Sequence, residues 1–238
     1  MSLTELLLRP VLGSPAKPLI THYDDKQGSR VELSVATTVN WAAKTANWLV
    51  DEFDVEPGDE VAVVLPSHWQ TAGVLLGAWW CGARVVTETA GARVAFVAPG
   101  GASDAAATAV VSLHPMGLGL PAGSVPDGAM DYLTEARLSG DQFSPLFPVP
   151  GDTPALGSST VDEVLAEARS RASDLGLSAD DRVLSTVEWA GVEGILAGFL
   201  TPLAAGAHLV QVTDADPAKL ASRREAERTT ADLPPEAR

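Results

Sequence analysis

Residues 38–61 read TVNWAAKTANWLVDEFDVEPGDEV and align without a gap with residues 160–183, which read TVDEVLAEARSRASDLGLSADDRV. Both segments begin with Thr-Val, carry apolar residues at helical spacing, and end in an acidic turn with Asp-x-Val. A short β-branched run follows each segment, and an apolar stretch then leads to Gly-Ala and another strand pattern. The repetition predicts two related helix–strand–helix–strand units.

Helices that alternate with single strands predict an α/β fold of mostly parallel sheets flanked by helices. Ligand sites in such sheets lie beyond the carboxyl ends of the strands. The pattern divides the chain into a first α/β unit (1–138), a Pro/Gly-rich crossing loop (139–159), a second α/β unit (160–214) and a charged tail, helical or disordered (215–238).

Helix ends give finer expectations. Apolar residues recur at helical spacing from Val39 onward, which predicts a helix beginning there. Thr160 is followed three residues later by Glu163, the pattern of a capping box at the start of the second unit's helix. Residues 129–138 are expected to form a short helix.

Composition restricts the partners and the compartment. The net charge of −15 argues against nucleic acid and against anionic membrane surfaces as partners. No apolar run approaches the length of a membrane span. Cys81, the single cysteine, cannot form an internal disulfide, which favours a reducing, cytoplasmic location.

Three stretches resemble a known family. Residues 55–66 read VEPGDEVAVVLP, residues 75–83 read LLGAWWCGA, and residues 194–203 read GILAGFLTPL. In this order they resemble the amino-terminal part of the AMP-forming adenylating enzymes, the superfamily of acyl-CoA synthetases, peptide-synthetase adenylation domains and firefly-type luciferases. The resemblance covers most of residues 18–212 and implies the scaffold of that part, without the small carboxy-terminal domain of the full-length enzymes.

The family's chemical motifs are not matched. Its phosphate-binding loop has the form Ser-Gly-Thr-Thr-Gly-x-Pro-Lys-Gly, whereas residues 155–163 here read ALGSSTVDE. Ser158, Ser159 and Thr160 keep the hydroxyls of a remnant phosphate loop, but the lysine is missing and Asp162 and Glu163 would repel a triphosphate. The other interpretation of these hydroxyls is a helix cap. No cofactor is required by the sequence, and AMP or ATP is implied only by the resemblance.

A candidate ligand cleft lies where the two units meet. His68 and Trp69 follow the first unit's strand, and Glu188 and Trp189 follow the corresponding strand of the second unit. Together they offer a polar set for an otherwise apolar pocket. The alternative is that both tryptophans only cover helix–strand junctions. The histidines have no metal-ligand spacing, so no metal site is expected.

Two functions remain open. The favoured one is a non-catalytic homologue that keeps the adenylating-enzyme scaffold and binds a small molecule or a protein partner. The alternative is a half-enzyme that binds a nucleotide or an acyl-adenylate and is completed by another chain. Because the motifs for adenylation are missing, we expect no adenylating activity from this chain alone.

Overall fold

The computed structural model describes residues 1–233. The helices are α1 (Leu3–Leu8), α2 (Val35–Phe53), α3 (Trp69–Trp80), α4 (Tyr132–Ala136), α5 (Val161–Asp174), α6 (Gly191–Gly194), α7 (Thr201–Ala204) and α8 (Pro217–Glu227). A π-helical segment, Ile195–Leu200, joins α6 to α7 without a break. The carboxy-terminal part of the charged tail, residues 234–238, lies outside the described residues.

Strands of two sheets alternate with these helices. In chain order they are β1 (Pro18–Asp24), β2 (Ser29–Ser34), β3 (Glu60–Val64), β4 (Arg84–Val86), β5 (Val94–Val97), β6 (Ala107–Val110), β7 (Ala129–Asp131), β8 (Pro154–Leu156), β9 (Ser159–Thr160), β10 (Arg182–Ser185), β11 (His208–Thr213) and β12 (Ala231–Leu233). One sheet has five strands in the order β12-β10-β11-β1-β2, and the other has seven in the order β7-β6-β5-β3-β4-β8-β9.

The α/β class is confirmed. All strand pairs are parallel except the hairpins β1–β2 and β8–β9. Both segments of the repeated pattern form helix, strand, helix and strand in that order. Their first strands, β3 and β10, lie inside their sheets, as expected for inner strands.

The sheets do not follow the sequence boundaries of the two units. Strand β1 belongs to the first unit by sequence, yet it pairs in parallel with β11 of the second, with Ile20 opposite Leu209. Strand β8 lies within the expected crossing loop of residues 139–159 and pairs with β4 through Val85 and Leu156. The indole N–H of Trp79 reinforces that pairing by donating to the carbonyl oxygen of Ala155 at 2.8 Å. Backbone pairing between strands so far apart in sequence cannot be predicted from the spacing of apolar residues within each segment.

Two helix ends differ from the sequence expectation. Helix α2 begins at Val35 because the hydroxyl of Ser34 accepts from the N–H of Thr37 at 3.2 Å and caps it. The expected start at Val39 is therefore wrong by one turn. Residues 129–131 form strand β7, and the carboxylate of Asp131 then caps α4, so the expected helix over 129–138 is shorter.

Helices α2 and α3 cross at a glycine. A Cβ atom on Gly77 would overlap Thr45 of α2 and lie 2.8 Å from the carbonyl oxygen of Ala42. The absence of that atom lets the two helix backbones approach closely. The hydroxyl groups of Thr45 and of buried Tyr132 in α4 are hydrogen-bonded at 2.6 Å, and this bond ties α4 to the crossing.

The described helices include none long and apolar enough to cross a lipid bilayer.

Candidate functional site

The loop after β3 and the loop after β10 meet in the interior. The backbone N–H of Trp189 donates to the hydroxyl of Ser67 at 2.7 Å, and that hydroxyl lies 3.3 Å from a carboxylate oxygen of Glu188. The hydroxyl of Thr213, at the end of β11, donates to the carbonyl oxygen of Ser67 at 2.5 Å. These contacts bring the carboxyl ends of strands from both sheets to one place.

His68 lies inside this junction. It is 4% exposed and caps helix α3, because its Nδ1 accepts from the N–H of Gln70 at 3.2 Å. An accepting Nδ1 requires the neutral tautomer with the proton on Nε2. Burial, with a smaller contribution from the neighbouring His22, lowers the pKa of His68 to about 2. His68 is therefore a neutral, structural imidazole at physiological pH.

His22 completes the buried pair. Its ring centre lies 4.5 Å from that of His68 in an edge-to-face arrangement. Its Nε2 lies 3.1 Å from the hydroxyl of Thr213. Burial lowers the pKa of His22 to about 4, although the carboxylate of Asp24 acts in the opposite direction.

The two tryptophans face different neighbours. Trp69 donates its indole N–H to the carbonyl oxygen of Pro115 at 3.1 Å and packs edge-to-face on Trp41, with ring centres 5.6 Å apart. Trp189 donates to the side-chain oxygen of Gln211 at 3.2 Å and lies against Phe199 at 4.6 Å. Both indole N–H groups are thus satisfied inside the protein, and both rings are buried, at 4% exposure for Trp69 and 3% for Trp189.

A groove of about 260 Å³ opens beside Trp189. Its lining comes from the carboxyl ends of β3 and β4 and from the loop before α6: Val63, Val64, Leu65, Thr87, Trp189, Ala190 and Gly191. Of the four residues expected to line a cleft, Trp189 lines this groove, and Glu188 is exposed next to it in the chain. His68 and Trp69 are buried and are not part of its lining.

The remnant phosphate-loop position forms the tight β8–β9 hairpin and the start of α5. Thr160 and Glu163 form the expected capping box, which is confirmed: the N–H of Thr160 donates to the Glu163 carboxylate at 2.9 Å, and the N–H of Glu163 donates to the Thr160 hydroxyl at 3.3 Å. Hydrogen bonds to the Glu163 carboxylate from the backbone N–H and the side chain of Thr160 lower the pKa of Glu163, which keeps a negative charge at this position.

The intervening amides of α5 are also occupied. The N–H of Val161 donates to the carbonyl oxygen of Thr153 at 2.9 Å, and the N–H of Asp162 donates to that of Gly151 at 2.9 Å. All four backbone donors from Thr160 to Glu163 therefore have partners within the protein. Ser158 and Ser159 sit in the hairpin itself, where β9 pairs with β8.

Metal-ligating side chains do not cluster in the part of the chain that the structure describes. Within residues 1–233, no group of three or more His, Cys, Asp or Glu side chains is placed to hold an ion. Burial raises the pKa of the Cys81 thiol to about 12, so this cysteine is a protonated core residue.

Known proteins are similar to this chain in sequence or in fold. A protein of Mycobacterium tuberculosis (strain ATCC 25618 / H37Rv), described as a TIGR03089 family protein, is 43% identical over an alignment of 240 positions. The alignment covers 96% of this chain and 97% of that protein. This chain belongs to the TIGR03089 family. No protein-family model matches it.

Solved structures show the same fold at low sequence identity. Brucella canis acyl-CoA synthetase matches with a TM-score of 0.80 and 16% identity over 98% of this chain and 47% of that chain. A benzoate CoA ligase from Burkholderia xenovorans LB400 matches with 0.73 and 15% identity over 98% and 50% of the respective chains. Acetoacetyl-CoA synthetase from Streptomyces lividans matches with 0.72 and 21% identity over 96% and 41%.

The resemblance to the amino-terminal region of adenylating enzymes is thereby confirmed at the level of fold. The TIGR03089 family member described here spans about half the length of the solved synthetases that it matches.

Sequence reasoning missed the polar side chains that join the sheets. Ser67, His22, Thr213 and Gln211 are all buried at this junction. Ser67 directly precedes His68, so its place at a strand end was visible in the sequence. The others lie on β1 and β11, whose pairing joins residues almost two hundred positions apart and has no local signature.

Proposed function

We propose that this TIGR03089 family member is a non-adenylating protein that uses the scaffold of the acyl-CoA synthetases to bind a small, neutral or cationic ligand with a largely apolar body. The ligand occupies the groove beside Trp189, at the carboxyl ends of β3 and β4. The observation that carries the non-adenylating part is the occupied set of backbone amides at the start of α5.

A phosphate loop works by presenting free backbone N–H groups and a cation to the phosphate oxygens. Here the amides of Thr160 and Glu163 are used by the capping box, and those of Val161 and Asp162 by the preceding loop. The carboxylates of Asp162 and Glu163 lie in the first turn of α5. The guanidinium of Arg84 is also near, but it already donates to the carbonyl oxygen of Gly157 at 2.5 Å and pairs with the carboxylate of Glu60 at 3.0 Å. A triphosphate would have to break these bonds and then meet two like charges.

The groove supports binding of a neutral or cationic ligand. Its lining residues include Val63, Val64 and Leu65 at the end of β3 and Trp189 opposite them, and the side chain of Val64 is the exposed one of these four. Glu188, the exposed residue that precedes Trp189, adds a negative charge nearby without lining the groove. The whole chain has a net charge of −15. Mostly apolar lining residues in an acidic protein favour a small aromatic or aliphatic amine over an anion.

The first experiment tests adenylation directly. The purified protein should give no magnesium-dependent exchange of pyrophosphate into ATP with acetate, benzoate or longer carboxylic acids. Steady exchange above the buffer control would contradict the proposal.

The second experiment tests the groove. Benzylamine, benzyl alcohol and benzoate have nearly the same shape and differ in charge, so their effects on the melting temperature report the preferred ligand charge. We expect benzylamine to raise the melting temperature most and benzoate least. Ala190→Trp fills the groove and should abolish the effect, whereas Ala166→Trp, on the exposed face of α5, should not. An effect that survives Ala190→Trp places the ligand elsewhere.

A second candidate function is a half-enzyme completed by another chain. It is favoured by one observation, the coverage of only 41% to 50% of the solved synthetases. Calorimetric titration of the pure protein with AMP and with magnesium ATP distinguishes the two, because a half-enzyme retains nucleotide binding and the non-adenylating protein does not.

A further inference from the structure

A separate cavity of about 300 Å³ lies between α1, α2 and α3 and shares no lining residue with the groove. Its walls are mainly the side chains of Leu8 and Leu12, Val39 of α2 and Trp80 at the end of α3. Small-molecule sites in proteins have volumes from about 300 Å³ upward and mostly apolar walls. The cavity meets both conditions.

The charged groups at its rim are not equivalent. The carboxylate of Glu5 is turned back on its own helix, because one of its oxygens accepts from the N–H of Ser2 at 2.7 Å and from the Ser2 hydroxyl at 3.1 Å. The other polar lining side chain, Thr4, donates its hydroxyl to the carbonyl oxygen of Leu76. Neither group needs a ligand.

Arg9 is different. Its side chain is exposed, and its contact within residues 1–233 is a weak one to the sulfur of Met1 at 3.9 Å. Among the described residues it forms no ion pair, although the protein carries 31 acidic side chains. A guanidinium presents several N–H donors in a planar fork that matches a carboxylate.

We propose that this cavity binds a small amphipathic carboxylate, with the carboxylate on Arg9 and the hydrocarbon tail against Leu8, Val39 and Trp80. The apolar walls provide affinity in proportion to the tail buried, and the arginine selects the head group. The site shares no residue with the groove beside Trp189, so an experiment can contradict one proposal and leave the other standing.

Calorimetric titration with straight-chain probes tests this site. We expect octanoate to bind, and affinity to rise about four-fold for each CH₂ added from hexanoate to decanoate. Octan-1-ol and octylammonium share the tail but lack the carboxylate, and both should bind at least about ten-fold more weakly than octanoate.

Variants locate the site. Arg9→Gln should weaken octanoate binding about ten-fold and leave octan-1-ol unchanged, because a hydrogen bond to a charged group is lost. Arg169→Gln removes an exposed arginine from α5 and is the matched control with no expected effect. Val39→Trp fills the cavity and should remove binding of octanoate, octan-1-ol and octylammonium alike.

Other outcomes overturn the proposal. Equal affinity for octanoate and octan-1-ol, or an Arg9→Gln variant with unchanged octanoate binding, would show that the arginine does not select a carboxylate. Absence of octanoate binding up to its solubility limit would show that the cavity is not a site for this class. Loss of octanoate binding in Ala190→Trp would assign the ligand to the groove instead.

Discussion

The hydroxyl of Ser67 accepts a 2.7 Å hydrogen bond from the backbone N–H of Trp189, and this bond joins the two sheets at the carboxyl ends of their inner strands. Ser67 is fully buried and Trp189 is 3% exposed, so water does not replace either partner. The hydrogen bond holds the loop that carries Trp189 against the carboxyl end of β3, and both of these parts line the groove.

Ser67→Ala should therefore destabilise the fold. It leaves the buried N–H of Trp189 without an acceptor, and such an orphaned donor costs about 1 to 3 kcal/mol. Urea denaturation followed by circular dichroism measures the change. Ser170→Ala, on the exposed face of α5, is the control, and equal stability of the two variants would contradict the assigned hydrogen bond.

Thr160→Ala should lower the free energy of unfolding by about 1 kcal/mol, because it removes the N-cap acceptor of α5. Ligand binding in the groove should not change. Ser159→Ala, one residue earlier, should change stability by less than about 0.5 kcal/mol. Unchanged stability of Thr160→Ala, together with a loss of nucleotide binding, would identify the segment as a working phosphate loop.

Gly77→Ala separates two opposing effects. Alanine gains about 1 kcal/mol of helix propensity over glycine, but the added Cβ would lie 2.8 Å from the carbonyl oxygen of Ala42. Overpacking of this kind costs about 1 to 3 kcal/mol, so we expect net destabilisation. At Gly73 the added atom would meet Trp41 Cβ at 3.2 Å, a milder contact. If Gly73→Ala lowers the denaturation midpoint as much as Gly77→Ala, the inference that the helices approach most closely at Gly77 is wrong.

The buried histidines make stability fall in acid. Burial lowers the pKa of His22 to about 4 and that of His68 to about 2, from the ordinary histidine value of about 6.5. The unfolded chain therefore takes up protons first as the pH falls below about 6.5, and this weakens folding.

His68→Asn removes one of these groups and keeps a good N-cap side chain for α3. Between pH 6 and pH 5 we expect the free energy of unfolding to depend less steeply on pH, by about 1.4 kcal/mol per pH unit. Urea titrations at several pH values measure the slope. A variant with the wild-type slope would show that His68 titrates normally in the folded protein.

The strand ends near the site could be predicted from the sequence. The apolar runs after residue 60 and after residue 182 indicated two inner strands, and the loops after them do meet. The Thr160–Glu163 spacing predicted the capping box because both partners lie within one helical turn. The place of His68 could not be predicted, since its burial depends on His22, which is distant in sequence and reaches it through the packing of β1 against α3.

The sequence by itself determined the elements whose interactions are local: the helices, the inner strands, the cap of α5 and the missing phosphate-binding lysine. The tertiary structure decided how the strands are shared between the sheets, since β1 joins β11 and β8 joins β4 through long-range backbone pairing. It also decided which candidate side chains face a ligand. Trp189 borders the groove while His68 is enclosed, because exposure is set by what packs on a residue and not by its place at a strand end.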